Sequence, residues 1–269
     1  MSTSQSALNN KIALVTGGSR GIGRAISQHL AAKGALVAVH YGFQKEAANE
    51  TVTAIRDSGG KAFILQAELG TPDDAATLWA NFDDALAQYR HHAGDEDSDT
   101  GIDILVNNAG QAKNTALEET TKSELEKTFA VNATAPFFIT QLGLKRIRDE
   151  GRIINISSGV SQVPWTIDMS YAMTKAALDS LTKSLAKKLA PRKITVNSVA
   201  PGIVQTDINA AWLANAPEAQ RQSAAWSVFN RVGQVDDIAD IVGLIATEES
   251  HWITGQYIDA TGGSLLSGA

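Results

Sequence analysis

Short runs of apolar and β-branched residues recur along this chain, each followed by a longer segment of helical period. The runs Ile12–Thr16, Leu36–His40, Ala62–Ala67, Ile102–Asn107, Arg152–Ser157, Thr195–Ala200 and Tyr257–Asp259 predict strands. Their near-continuous apolar character predicts burial on both faces, as in a parallel sheet sandwiched by helices. Between the first two, Ile22, Ile26 and Leu30 share one helical face, and Gly34 stops that helix. Thr71 is expected to cap a later helix, with Pro72 at its first position and acidic residues in its first turn. The alternation predicts an α/β fold: one doubly wound parallel sheet of about seven strands with helices on both faces. It fills residues 11–269 as a single domain, and residues 1–10 read as a flexible tail.

Two segments break the rhythm. His91–Gly101 is hydrophilic, and its Asp95, Asp97 and Asp99 imitate the start of a calcium loop. That motif needs Gly at its sixth position and Glu at its twelfth, where this chain has Thr100 and Val106, so a solvated loop is expected. Residues 205–234 are long for a connection and carry Trp212, Trp226 and Phe229. They read as a substrate-covering segment or, more plainly, a pair of surface helices.

Composition narrows the function. Of the 269 residues 43% are hydrophobic and 19% charged, which suits a globular domain, and no apolar run reaches the roughly 18–20 residues of a membrane span. Cysteine is absent, which excludes disulfides and thiolate chemistry and fits a cytoplasmic protein. With 29 acidic against 23 basic residues the net charge is −6, so nucleic acid is not an expected partner. The five histidines form no helical i,i+4 pair, and no metal is expected.

After the first strand comes Thr16-Gly17-Gly18-Ser19-Arg20-Gly21-Ile22-Gly23, opening an amphipathic helix. Such a turn lets backbone N–H groups approach a pyrophosphate at a helix start. A purely structural β–α turn is the bland reading. The same residues satisfy Gly-x-Ser-x-Gly, which would make Ser19 the nucleophile of an α/β hydrolase, with His251 the available histidine.

A second constellation weighs against that rival. Ser157 and Ser158 end the fifth strand, and Tyr171 and Lys175 stand four apart on one face of the following helix. Reduction of a carbonyl needs a proton donor, and an ammonium beside a phenol favours phenolate. Ser158 can hydrogen-bond an oxygen on which negative charge grows. A Tyr and Lys four apart are in themselves common on helix surfaces.

Taken together, Thr16–Gly23, Asn107-Asn108-Ala109-Gly110, Asn132, Asn155–Ser158, Tyr171 with Lys175, and Pro201-Gly202 resemble the short-chain dehydrogenase/reductase family from Lys11 to Gly263. The resemblance implies a Rossmann-type sheet and hydride transfer between a nicotinamide cofactor and a small carbonyl or alcohol. The spacing of thirteen between Ser158 and Tyr171 follows the family pattern. By resemblance Tyr171 is the general acid/base and Lys175 lowers its pKa and holds the nicotinamide ribose. Ser158 positions the substrate oxygen, and Asn132 holds a water leading from Lys175. The cofactor would lie against Gly17, Ser19, Arg20, Gly21, Ile22 and Gly23, then Asn108, Ala109 and Gly110, then Pro201, Gly202, Val204 and Thr206. Glu68-Leu69 stands where the family usually has Asp before an apolar residue, for the adenine. A homotetramer built on the long fourth and fifth helices is implied as well.

The end of the second strand, His40-Tyr41-Gly42, is expected against the cofactor by the resemblance but lacks the acid that would bind a ribose 2′-hydroxyl. Arg20, with Lys45 nearby, suits a 2′-phosphate instead, so NADP(H) is expected over NAD(H). Residues 159–169, Gln111, Ala112 and the 205–234 segment should frame the substrate. Val160, Val163, Pro164, Trp165, Ile167, Met169 and Trp212 suit a hydrophobic ketone. A catalytically idle dinucleotide-binding sensor is the alternative of a different class.

Overall fold

The computed structural model describes residues 7–95, 97, 99–206 and 217–266. All seven strands are parallel: β1 Ile12–Val15, β2 Leu36–Tyr41, β3 Lys61–Gln66, β4 Ile102–Asn107, β5 Ile147–Ile156, β6 Thr195–Pro201 and β7 Tyr257–Ala260. They lie in the order β3-β2-β1-β4-β5-β6-β7. The order reverses between β1 and β4, and ligands of such sheets sit in the crevice that opens there at the carboxyl ends of the strands.

Helices cover both faces. Helices α1 (Gly21–Ala32) and α2 (Lys45–Asp57) lie on one side, joined by the later helix Val235–Ile245. Ile26, Leu30, Val52, Ile55, Ile238 and Val242 there bury against β1 and β2. On the other side, α3 (Asp74–Ala93) and α5 (Ala135–Gly143) place Leu78, Trp79, Phe82, Leu86 and Ile139 against the sheet. The α4 helix (Lys122–Phe129) is capped by Thr121 and Glu124 in a reciprocal box and runs into α5 through one π-helical turn, Ala130–Thr134. Helix α6 is Met169–Leu189, α7 Pro217–Trp226 and α8 Val235–Ile245. Phe137, Phe138 and Leu142 on α5 are exposed.

Four expectations change. Residues 7–10 form a docked turn: Leu8 is buried and its N–H donates to Lys33 O at the end of α1. Thr71 caps no helix. Its hydroxyl donates to Glu68 O, the chain turns through Asp73 at φ 59°, and α3 begins at Asp74. The fifth strand starts at Ile147, ahead of a register shift against β4 and of Glu150 at φ 63°. The acidic loop before β4 is also better held than a solvated loop. Arg90 pairs with Asp95 and Asp97, and Arg148 with Asp99.

Candidate active site

The glycine turn is built to bring backbone close to backbone. Gly17 sits at φ 62°, and a β-carbon there would lie 3.0 Å from Ala109 Cα. The Asn108 side chain donates to Thr16 O at 2.9 Å and Gly17 O at 3.1 Å, so it braces the turn from β4. The Thr16 hydroxyl accepts from the N–H groups of Asn108 and Ala109. Helix α1 then starts with no side-chain cap and no acid in its first turn. Its first N–H groups are thus left for an anion, which is what a dinucleotide pyrophosphate would supply. Thr206, beyond β6, lies over Gly21.

His40 was expected at the cofactor, but its ring is consumed inside the fold. Nδ1 accepts from Gly17 N at 3.0 Å and Nε2 bonds Ala67 O at 2.9 Å. His40 therefore acts on the site through the turn. Burial pushes its pKa down to about 4 from 6.5, against the bond to Ala67. Between those values the unfolded chain binds the extra proton, so stability is full above pH 6.5 and is lost as pH falls toward 4. The loss at pH 5 should be about 2 kcal/mol from this residue. Melting temperatures of the wild type should drop between pH 7 and 5, and those of His40→Asn should drop less; equal slopes would refute the assignment.

At the 2′ end, Arg20 and Lys45 are exposed and form no ion pair among the described residues. Tyr41 is buried, with its pKa raised by that burial and by the nearby Glu46 carboxylate in the first turn of α2. Sequence reasoning passed over Glu46, which only the start of α2 brings to Tyr41. Glu68 is exposed beyond β3, and Leu69 is half-buried.

Beneath the strand ends runs a chain of buried polar side chains. Asn107 donates to Asn155 at 2.8 Å, Asn155 to Thr182 at 2.8 Å, and Thr182 pairs with Ser198 at 2.8 Å. It ties β4, β5, α6 and β6 together. The sequence signal was available in the asparagines at positions 107 and 155, where an apolar strand residue would be the default.

On that floor Ser158, Tyr171 and Lys175 come together. Ser157 turns away to the α6 backbone, donating weakly to Lys175 O. The Ser158 hydroxyl faces the Tyr171 phenol and draws its pKa down. Lys175 is buried, with Nζ 5.5 Å from the centre of the Tyr171 ring, and donates to Ile156 O at 2.8 Å. Burial pushes the phenol up to about 12; the Ser158 hydroxyl pulls it down, and the Asp168 carboxylate raises it further. Burial outweighs the expected depression by Lys175, whose Nζ faces the ring and Ile156 O. Burial lowers Lys175 itself to about 8, opposed by Asp179. Near pH 7 the site therefore holds a protonated phenol and a mostly protonated amine.

Asn132, in the π-helical turn, is fully buried. Its Oδ1 accepts from Gln111 N at 2.8 Å, and its Nδ2 donates to Gln111 O at 2.8 Å and to Thr174 Oγ1 at 3.1 Å. It reaches Lys175 through neighbours and not by a direct bond. Gly110 lies against both, since a β-carbon there would touch Asn132 Oδ1 and Lys175 Nζ at 3.4 Å.

Above the floor, Trp165 meets Trp226 edge to face, with ring centres 5.7 Å apart. Val163, Ile167, Met169 and Phe229 are exposed. Trp212 lies outside the described residues. The hydrolase alternative loses its histidine: His251 precedes β7 and so lies toward the opposite end of the strands from Ser19. No three acidic or histidine side chains could hold a metal among the described residues, and no described helix is long and apolar enough to cross a membrane.

A doubly wound parallel sheet with a glycine turn after β1 and a Ser–Tyr–Lys set beyond β5 defines an oxidoreductase of the nicotinamide-dependent class. The chain belongs to the short-chain dehydrogenase/reductase family, whose sequence profile (short chain dehydrogenase) matches residues 11–217. Members of this family act on keto and hydroxyl groups. A probable tetrahydroxynaphthalene reductase of Zymoseptoria tritici is 35% identical over 97% of both chains. Among solved structures, the reductase LugOII, which catalyses keto-reduction at C1 in lugdunomycin biosynthesis, superposes with a TM-score of 0.90 at 47% identity. That match covers 97% of this chain and 100% of LugOII. The angucycline C-6 ketoreductase LanV with bound NADP gives 0.89 at 43% identity, covering 97% of this chain and 98% of LanV.

Proposed function

We propose that this protein is an NADPH-dependent ketoreductase acting on a fused-ring aromatic ketone, with Tyr171 as its general acid. The observation that carries the reading is a protonated phenol beside Ser158 and Lys175, with the Trp165–Trp226 pair and exposed apolar side chains in the segments that follow β5 and precede α8. The relatives supply the ring system: their names describe reduction of naphthalene and angucycline skeletons.

When bound, NADPH supplies the hydride to the carbonyl carbon. The chain does the rest. Ser158 donates to the carbonyl oxygen as negative charge develops there. Tyr171 passes its phenolic proton to that oxygen, giving the alcohol. Lys175, as an ammonium, offsets the charge left on the tyrosine. The uncapped start of α1 and the turn 17–23 hold the pyrophosphate, with Ser19 and Ile22 on the phosphate side. The backbone of Asn108–Gly110 and the segment Pro201–Thr206 would flank the ribose and nicotinamide.

Turnover of a panel of fused-ring and monocyclic ketones with each nucleotide tests the reading. Fused-ring ketones should be reduced with the higher kcat/KM, and NADPH should have the lower KM of the two nucleotides. Arg20→Ala should raise the KM for NADPH about tenfold, the loss of one charge-assisted contact, and leave that for NADH unchanged. No reduction of any ketone would leave only a nucleotide-binding protein, and a preference for NADH would end the assignment at Arg20.

A further inference from the structure

Asp168 is a buried carboxylate that the reaction described above does not use. It stands three residues before Tyr171, at the N-cap of α6, and is 1% exposed. A carboxylate so placed must be fully supplied with donors to stay charged. Oδ1 accepts from Ser170 Oγ at 2.7 Å and from Tyr171 N at 3.0 Å. Oδ2 accepts from Lys113 N at 3.0 Å and Asn114 N at 2.9 Å. Burial pushes its pKa up, but these four donors more than offset that and hold the carboxyl below its ordinary range.

The two oxygens thus serve two segments. One belongs to the first turn of the helix that carries the tyrosine. The other holds the wall after Gly110, where Asn114 sits in the left-handed region at φ 53°, a conformation that needs support in a residue with a side chain. The far end of the same wall is Gln111, clasped on both backbone groups by Asn132. Asn132 donates in turn to Thr174 Oγ1, which donates to Tyr171 O at 2.7 Å. The path closes on itself: Tyr171, Asp168, residues 113–114, Gln111, Asn132, Thr174 and back to Tyr171. An ordinary helix cap needs only the first two donors and no partner 54 residues distant along the chain.

We propose that Asp168 is a positioning residue for proton transfer: it locks the wall 111–114 to the first turn of α6 and thereby fixes the Tyr171 phenol against the substrate's carbonyl oxygen. This rests on Tyr171 being the general acid. An amide cannot replace the carboxylate, because an NH₂ would face one of the two pairs of donors.

The test compares Asp168→Asn and Asp168→Ala with Thr121→Ala, which removes a cap from α4 away from the tyrosine. Both Asp168 variants should lose about ten- to a hundredfold in kcat, the usual cost of a misplaced reacting group. The KM for the ketone should rise, Kd for NADPH should hold, and the solvent deuterium isotope effect on kcat should grow as proton transfer becomes limiting. Thr121→Ala should lower Tm and leave kcat and the isotope effect unchanged. If the Asp168 variants behave as Thr121→Ala does, Asp168 is a cap and nothing more. Hydrogen exchange of the wild type gives a reading that survives even if those variants fail to fold. The amides of Lys113 and Asn114 should be protected, and exchange at free-loop rates would overturn the proposal. A Tyr171→Phe enzyme with normal kcat would instead sink the reading of Tyr171, independently of these results.

Discussion

Tyr171→Phe is expected to lower kcat for ketone reduction by about 10²- to 10⁴-fold while Kd for NADPH stays unchanged. The substitution removes one oxygen from a half-buried ring and leaves the face toward Lys175 intact. What disappears is the phenolic hydrogen that is offered to a substrate oxygen beside that of Ser158. Steady-state kinetics with nucleotide titration by fluorescence separates the two parameters, and a loss below tenfold would remove the phenol from the proton-transfer step. The wild type carries a matching pH signature. The phenol keeps its proton up to about 12, so it does not limit reduction anywhere near neutrality. Lys175 loses its charge near 8. In the free enzyme kcat/KM for reduction should therefore stay level to about pH 8 and fall above it. A profile still level at pH 10 would take the ammonium out of the reaction.

Gly23→Ala should weaken nucleotide binding about a hundredfold. A β-carbon at that position would lie 2.1 Å from Gly17 O and 2.5 Å from Asn108 Nδ2. The first of these is backbone and the second is pinned by two hydrogen bonds, so neither can swing aside. Overpacking in well-filled places costs about 1–3 kcal/mol and occasionally more, and a clash against main chain belongs at the upper end. If the turn opens to relieve it, about 3 kcal/mol appears as a loss of about two orders of magnitude in Kd for NADPH. Calorimetric titration against the wild type measures it. A Kd within a few-fold of wild type would mean that the turn does not hold the nucleotide in the arrangement described.

Much of this was legible in the sequence because its signals are local. Each strand carries its own apolar run, and the turn Thr16–Gly23 and the pair Tyr171 and Lys175 are contained within eight and five residues. Expectation and structure part where the deciding partner is remote. Leu8 is one apolar residue in a polar stretch, and only the end of α1 makes it core. The strand before Arg152 was hidden by Asp149-Glu150-Gly151, polar residues that the chain accommodates with an irregularity. Asp168 was not among the expected site residues, since its partners at 113 and 114 come from another βα connection. The sign of the tyrosine shift failed for a different reason. A spacing of four fixes a shared helix face but not a rotamer, and the rotamer takes Nζ to Ile156 O.

The polar chain from Asn107 through Asn155 and Thr182 to Ser198 has a consequence for how such an enzyme can change. It anchors the reacting groups from below, while residues 159–167 and 217–234 carry the Trp165–Trp226 pair above them. Substrate preference and proton-transfer geometry are thus encoded in different strata of the molecule. Exchanging the upper loops between relatives should transplant a preference for one ring system or another and leave the catalytic register where it was.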